Sequence, residues 1–242
     1  MIYVMFPTEA EMAPLTDMLE GRLKVETCKR AGAAGLLGGR PVTLLASGVG
    51  QVNTAQTVTA LLEGGRAEFV LMGGCAGAYV GSGLKVGDVA VAMEEIYADT
   101  GVLTTDGWLD MEDICLPLAG PGVGGNSRFN RFPLQLEHFK EGMDNASRAV
   151  PKPAVSGAFL TVSTVSGTSA RGTELYGRYG AICENMEGAA AAHVCFIYGV
   201  PFLEVRGISN MVVDRDREGW DINAATVNCA LFIYHFLKAG VI

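Results

Sequence analysis

The sequence predicts a three-layer α/β/α fold with a mixed central sheet. Short apolar segments alternate with segments of helical periodicity along its 242 residues. Several apolar segments have no polar alternation, which is typical of strands that helices cover on both faces. The length suffices for one large core, and we expect a single domain over residues 1–242.

Apolar runs and helical patterns predict the secondary-structure elements. Apolar segments predict strands over 2–6, 42–47, 68–74, 88–97, 157–166 and 202–209. Helical patterns predict helices over 8–20, 52–63, 170–178, 186–198 and 221–238. Residues 98–140 have no clear period, and long irregular loops are often functional. We therefore expect an irregular insert near the substrate site there.

Composition excludes several classes of function. A net charge of −8 without a block of Lys and Arg argues against nucleic acid as a partner. No apolar run reaches the roughly 18 residues of a membrane span, and the N-terminus lacks the basic region of a signal peptide. The six cysteines are scattered, which predicts no metal site and buried free thiols in a reducing cytoplasm.

Two glycine-rich segments follow predicted strands. "SGVGQVNTA" (47–55) lacks the third glycine of a dinucleotide fingerprint, so we expect no nucleotide cofactor. "GGCAGAYVGSG" (73–83) predicts turns, and glycines at a strand end also allow a ligand to approach the backbone closely. From the residues alone, ligand contact and simple tight turns are equally compatible with both segments.

Four polar residues are candidates for chemistry. Glu11 follows Thr8 with capping-box spacing, yet it also lies at the end of the first strand, where α/β sheets bind ligands. Asn210 ends the last predicted strand, either as a turn residue or as a ligand contact. Glu184 and Glu187 are three apart, a spacing that places two side chains on one face of a helix.

The order of five motifs resembles the nucleoside phosphorylase and nucleosidase superfamily over nearly the whole chain. These motifs are "PTEAEM", "SGVG", "GGCAGA", "ENMEGAA" and "VRGISN". Two further segments, "DTGVLTTDGWLDMEDICLPL" and "ISNMVVDRDREGW", are most similar to the futalosine hydrolase family. The resemblance implies an α/β/α sandwich around a partly barrel-like sheet, a nucleoside as substrate, and assembly into a homo-oligomer.

The resemblance also implies roles for individual residues. Glu11 matches the acid that activates the attacking water, and Glu187 matches the acid that binds the ribose hydroxyls, with Met186 packed against the sugar. The small residues that line the base and ribose match Cys75, Ala76 and Gly77, and we add Val165 to the substrate-binding set. Glu184 is left with a structural role, either at the start of the helix or paired with a neighbouring Arg.

Asn210 takes the place of an Asp in adenine-specific relatives. An ionised Asp only accepts hydrogen bonds, whereas Asn offers a donor to the O6 of a 6-oxopurine and an acceptor to a protonated N7. The substitution therefore favours hypoxanthine over adenine as the leaving base. For the benzoate tail of futalosine, Trp108 in the insert and Arg215 in the loop after Asn210 are candidate contacts.

Phosphorylase relatives carry an Arg and a Ser, three residues apart, that bind phosphate in this glycine segment. Met72 and Cys75 occupy those places here, which predicts water as the nucleophile. Together with the resemblance to the futalosine hydrolase family, this implies hydrolysis of futalosine to hypoxanthine and dehypoxanthinylfutalosine, in menaquinone biosynthesis. The alternatives are a methylthioadenosine/S-adenosylhomocysteine-type nucleosidase, a purine nucleoside phosphorylase, or a nucleoside-binding module without catalysis.

Overall fold

The computed structural model describes residues 2–65, 67–121 and 127–239. The strands are β1 Ile2–Phe6, β2 Glu20–Thr27, β3 Arg30–Leu37, β4 Arg40–Ala46, β5 Phe69–Tyr79, β6 Val89–Tyr97, β7 Gly101–Thr104, β8 Gly107–Asp110, β9 Arg131–Pro133, β10 Val155–Thr161, β11 Cys183–Asn185 and β12 Phe202–Val212. The α-helices are α1 Glu9–Thr16, α2 Gln51–Gly64, α3 Lys140–Ser147, α4 Ser169–Tyr179, α5 Gly188–Tyr198 and α6 Ile222–Lys238.

A mixed sheet of ten strands forms the middle layer, in the order β11-β10-β6-β12-β5-β1-β4-β3-β2, with β9 paired to β6. The short strand β11 pairs in parallel with β10 and antiparallel with β5. Five strands (β11, β10, β6, β12 and β5) therefore close into a ring. This ring is the partly barrel-like sheet that the family resemblance implies.

Helices cover both faces of the sheet. On one face, α6 packs with α1 and α3 over a core that includes Phe69, Phe139 and Phe236. On the other face, α2 and α5 pack together over Met5, Met72 and the alanines of α5. The predicted three-layer α/β/α architecture is confirmed.

The six predicted strands correspond to β1, β4, β5, β6, β10 and β12, and the five predicted helices to α1, α2, α4, α5 and α6. The hairpin β2–β3 was not predicted, because it lies at one end of the sheet, where β2 is largely exposed and has no apolar period. The strand predicted over 68–74 is longer than expected, since β5 continues to Tyr79, and tight turns therefore do not begin at Gly73.

Residues 98–140 are more regular than predicted. A two-stranded hairpin, β7–β8, occupies 101–110, and β9 joins the main sheet beside β6. Residues 122–126 of this segment lie outside the described residues. The prediction of an irregular insert is therefore wrong for the hairpin and for β9, whose strands of four, four and three residues are too short to show a period.

The six cysteines are free, but only Cys183, Cys195 and Cys229 are buried. Cys28 and Cys75 are half-buried and Cys115 is exposed, which corrects the prediction that all six are buried. Among the helices of the described residues, none is both long and apolar enough to cross a bilayer.

Replacing Gly188, the first residue of α5, is expected to destabilise the fold. A Cβ at this position would lie 2.1 Å from Glu95 Oε1 and 2.2 Å from Glu204 Oε2, both on buried side chains. We expect Gly188→Ala to lower the free energy of unfolding by about 1–3 kcal/mol, as overpacking of a core does. Urea denaturation measures the change.

Gly177 in α4 is the matched control, because a Cβ there would meet nothing within 4 Å. We expect Gly177→Ala to leave stability unchanged or to raise it by up to about 1 kcal/mol, from helix propensity alone. Equal effects of the two substitutions would contradict the close packing at Gly188.

Candidate active site

A cavity of about 290 Å³ opens near the carboxyl ends of β1, β5 and β12. Nine of the predicted site residues line it: Glu11, Cys75, Ala76, Gly77, Val165, Met186, Glu187, Asn210 and Arg215. Open α/β sheets usually bind their ligands at the carboxyl ends of their strands. The structure therefore brings most of the predicted residues into one place.

Trp108 is the exception, because it does not line this cavity. It lies in β8, where the guanidinium of Arg178 stacks 5.6 Å from the centroid of its ring. Among the described residues of 98–140, none lines the cavity. The structure thus places neither Trp108 nor the described part of the predicted insert at the site, because the hairpin β7–β8 packs toward the end of α4 instead.

Glu11 takes part in the cap of α1 and also lines the cavity. Thr8 caps α1, since its Oγ1 accepts a hydrogen bond from the Glu11 N–H at 3.2 Å and donates one to Glu11 Oε2 at 2.6 Å. The other carboxylate oxygen, Oε1, accepts from the Cys75 N–H at 2.9 Å. Capping therefore fixes a carboxylate that also faces the cavity.

A β-bulge aims Asn210 at the cavity. In the pairing of β12 with β5, Ile208 faces Ala76 and Asn210 faces Gly77, so Ser209 is the extra residue. A bulge of this kind re-aims the side chains that follow it. A Cβ on Gly77 would lie 3.1 Å from Asn210 Nδ2, so the glycine leaves room for the amide.

Glu187 is buried and is fixed from two directions. Its Oε1 accepts from the Gly50 N–H at 2.9 Å, and its Oε2 lies 3.3 Å from Arg206 Nη1. Gly50 has a φ of +90°, which a glycine adopts readily, so the "SGVG" segment serves to present this N–H. Burial raises the pKa of Glu187 above its ordinary value of 4.5, although Arg206 and the Gly50 N–H oppose that rise.

Arg206 links Glu187 to a buried cluster of polar side chains. Its guanidinium donates to Glu204 Oε1 at 2.8 Å, to the Cys75 carbonyl at 3.2 Å and to Asn185 Oδ1 at 3.3 Å. Glu204 and Arg206 are both fully buried. These bonds orient the guanidinium toward Glu187 and toward the backbone of β5.

Glu95 completes the cluster and lies next to Glu204. Burial, and then the neighbouring Glu204, raise its pKa well above the usual value. Thr161 donates to one Glu95 oxygen and Asn185 to the other, each at 2.7 Å. Glu204 Oε2 has no hydrogen-bond partner among the described residues, and a proton on Glu95 would give it a donor.

Glu184 has hydrogen-bond partners that the sequence did not predict. It lies in β11, before the helix, and accepts from Tyr79 Oη at 2.9 Å and from the Ser166 N–H and Oγ, each at 2.7 Å. Among the described residues, this side chain neither caps α5 nor forms an ion pair with an Arg. Its side chain lines the cavity.

Sequence reasoning also missed Arg206, Ser166 and Trp220. Arg206 and Glu204 interrupt an otherwise apolar strand, and charged residues in such a run are a recognisable signal of a buried polar cluster. Ser166 and Trp220 lie in loops, where no periodicity marks them. Trp220 lies under Arg215, whose guanidinium is 5.2 Å from the ring centroid.

Comparisons with known proteins identify the family of the chain. A family model described as "Phosphorylase superfamily" matches residues 2–238. A futalosine hydrolase of Thermus thermophilus is 34% identical over 186 residues, which is 76% of this chain and 76% of that protein. A 5'-methylthioadenosine/S-adenosylhomocysteine nucleosidase of Geobacillus kaustophilus is 30% identical over 204 residues, 84% of this chain and 81% of that protein.

A solved structure extends the likeness to the fold. The native structure of futalosine hydrolase of Helicobacter pylori superposes with a TM-score of 0.80 at 19% identity, covering 98% of this chain and 96% of that one. The fold and site define an enzyme of the nucleoside phosphorylase-like class, and the chain belongs to the phosphorylase superfamily. Within it, the chain is an N-glycosyl hydrolase of nucleosidase type.

The raised pKa of Glu187 predicts the acid limb of the pH profile. In the role that the family resemblance implies, the carboxylate of Glu187 accepts hydrogen bonds from the ribose hydroxyls. Because its pKa is raised, this carboxylate becomes protonated at a higher pH than an ordinary Glu. We expect kcat/KM for nucleoside cleavage to fall as the pH falls, with a midpoint above 4.5. Initial rates across the acid range measure this midpoint.

Two substitutions of Arg206 provide the control. Arg206→Gln removes the positive charge that lowers the pKa of Glu187, so we expect the acid limb of the pH profile to move to a higher pH. Arg206→Lys loses the guanidinium but keeps the charge, and its limb should stay closer to that of the wild type. An identical limb in both variants would show that the charge of Arg206 does not act on Glu187.

Proposed function

We propose that this enzyme hydrolyses the N-glycosidic bond of futalosine, releasing hypoxanthine and dehypoxanthinylfutalosine, as a step of menaquinone biosynthesis. The observation that supports this substrate is the amide of Asn210, aimed into a nucleoside-sized cavity beside Gly77. The likeness to futalosine hydrolases of other organisms supports the same choice.

The amide matches the base that is released. The Nδ2 group donates to the Met211 carbonyl at 3.2 Å, and Oδ1 accepts from Ser209 Oγ at 2.9 Å. Each amide atom keeps hydrogen-bonding capacity, since NH₂ has two donors and the oxygen two lone pairs. Asn210 would therefore donate to O6 of hypoxanthine and accept from N7 as that atom gains its proton.

Water is the nucleophile that suits this cavity. The Cys75 N–H, a donor that an oxyanion would use, is already occupied by Glu11. The carboxylates of Glu11 and Glu187 both face the cavity and would repel phosphate. Met72, at one of the phosphate-binding places of phosphorylase relatives, is fully buried and apolar.

The catalytic roles follow from this arrangement. Cleavage of a glycosidic bond passes through a transition state with oxocarbenium character at C1′. Glu11 would take a proton from the attacking water as a general base. Glu187 would accept hydrogen bonds from the ribose hydroxyls, and its negative charge favours the developing cation, while Met186 packs against the sugar.

The benzoate tail fits the side of the cavity formed by Arg215 and Trp220. Both residues line the cavity, and the exposed Arg215 side chain has a cation to offer a carboxylate. Val49 and Val165 add exposed apolar surface among the lining residues. Arg215 therefore replaces Trp108 as the preferred contact for the tail, with Trp220 as its aromatic partner.

The second candidate is hydrolysis of methylthioadenosine or S-adenosylhomocysteine. It is favoured by relatives of that name at 30% identity over 84% of the chain. An amide in place of a carboxylate at Asn210 disfavours adenine, because adenine presents two donors there, its 6-amino group and a protonated N7, and the amide has only one acceptor oxygen. A purine nucleoside phosphorylase is disfavoured by the anionic cavity described above.

The substrate and the role of Glu11 can be tested together. We expect the wild type to release hypoxanthine from futalosine without phosphate, and Glu11→Gln to lower kcat by about 10²–10⁴-fold, because a general base is lost. Chromatography of the products from futalosine, inosine and methylthioadenosine, with and without phosphate, measures this.

Glu9→Gln is the matched control for Glu11→Gln. Glu9 lies in the same helical turn, is exposed and does not line the cavity, so its removal should leave kcat unchanged. Release of adenine from methylthioadenosine but no hypoxanthine from futalosine would overturn the proposed substrate. Hypoxanthine release that requires phosphate would overturn hydrolysis.

Asn210→Asp is expected to shift the base preference toward adenine. The carboxylate no longer donates to O6, and a polar group left without a partner costs about 1–3 kcal/mol. The ratio of kcat/KM for futalosine to that for methylthioadenosine should therefore fall by about 10–100-fold.

Asn145→Asp adds the same charge on the exposed face of α3 and should leave this ratio unchanged. A similar drop in both variants would mean that net charge, and not the contact with the base, changes the preference.

A further inference from the structure

Glu184 and Asn210 flank the same residue of β5. In the register of β11 with β5, Glu184 pairs with Gly77, and in the register of β12 with β5, Asn210 pairs with Gly77. Adjacent strands are about 4.8 Å apart, so the two backbones lie about 10 Å apart across the glycine. Both side chains line the cavity, which places a carboxylate and an amide on either side of its floor.

The protein fixes the Glu184 carboxylate but does not saturate it. Oε2 accepts two hydrogen bonds, from Tyr79 Oη and Ser166 Oγ, whereas Oε1 accepts one, from the Ser166 N–H. Since each carboxylate oxygen has two lone pairs, Oε1 can accept one more donor. Glu184 is only 5% exposed, so that donor would have to come from a molecule in the cavity.

The two candidate bases differ at the position that a carboxylate can distinguish. A 6-oxopurine carries a hydrogen on N1 next to the O6 acceptor, whereas adenine has an unprotonated N1 next to its amino group. A carboxylate accepts from N1–H but repels the lone pair of adenine N1. An acceptor at N1 and a donor at O6 together match hypoxanthine and mismatch adenine.

We propose that Glu184 is a specificity-determining residue that accepts a hydrogen bond from N1–H of a 6-oxopurine base, while Asn210 contacts O6 and N7. The proposal rests on the proposed function, because it requires such a base in the cavity. It assigns a role in substrate recognition to the carboxylate that the sequence left with a structural one. The hydrogen bonds from Tyr79 and Ser166 then serve to hold this acceptor in place.

Binding of free bases tests the proposal without ribose or tail. Isothermal titration of the wild type with hypoxanthine, 1-methylhypoxanthine and adenine gives three dissociation constants. We expect hypoxanthine to bind about 10–100-fold more tightly than either of the others, as loss of a hydrogen bond to a charged group predicts. In Glu184→Gln the amide can donate to adenine N1, so the ratio of adenine to hypoxanthine affinity should rise by a similar factor.

Tyr79→Phe is the control for a purely structural role. It removes one of the three donors to Glu184 but leaves the carboxylate in the cavity, so hypoxanthine should still bind more tightly than the other two bases. Parallel weakening by Glu184→Gln, with unchanged ratios, would overturn the proposal. Equal binding of hypoxanthine and 1-methylhypoxanthine by the wild type would overturn it even if Glu184→Gln did not fold.

Failure of this inference is distinguishable from failure of the proposed function. A wild type that cleaves futalosine while Glu184→Gln keeps the wild-type base ratios overturns only the role of Glu184. A wild type that prefers adenine and cleaves only methylthioadenosine overturns both the proposed substrate and the contact with N1–H.

Discussion

The active-site edge of the sheet depends on one buried guanidinium. Arg206 joins Glu187, Glu204 and the backbone of β5, with about 1% of its side chain exposed. A charge buried at this depth is tolerated only when its partners satisfy it, and removing one partner of such a pair typically costs about 3–5 kcal/mol. The same contacts that balance the charge also orient the carboxylate assigned to the ribose, so the stability of the cluster and the geometry of the site are coupled.

Packing around this cluster explains why glycine occurs at two positions. Gly74 has a φ of +154°, and a Cβ there would lie 2.6 Å from Arg206 Nη1. Gly188 leaves room for the carboxyl groups of Glu95 and Glu204 on the other side of the cluster. Because three carboxyl groups and one guanidinium share this interior, a proton on Glu95 reduces the excess of negative charge. The glycines of the family motifs are thus set by the buried polar network as much as by contact with a ligand.

The predictions that failed share a physical cause. The glycines from Gly73 onward allowed either tight turns or ligand contact, yet β5 continues there as a strand, since both of its neighbours supply hydrogen bonds to the backbone. Trp108 was a candidate contact for the benzoate tail because it is an aromatic residue in the segment expected to be irregular, but cation–π contact with Arg178 holds it elsewhere. Neither outcome can be read from local composition, because both depend on which distant segment lies alongside.

The sequence by itself determined the layered α/β/α architecture, since continuous apolar strands need helices on both faces. It also selected Glu11, Glu187 and Asn210 as candidate site residues, because they lie at strand ends and within recognisable motifs, and all three line the cavity. Only the tertiary structure decided that Glu184 faces the cavity and that Arg206 binds Glu187. Those relations depend on the pairing of β11 and β12 with β5, which brings together residues separated by more than a hundred positions, and on a one-residue bulge that no local pattern encodes.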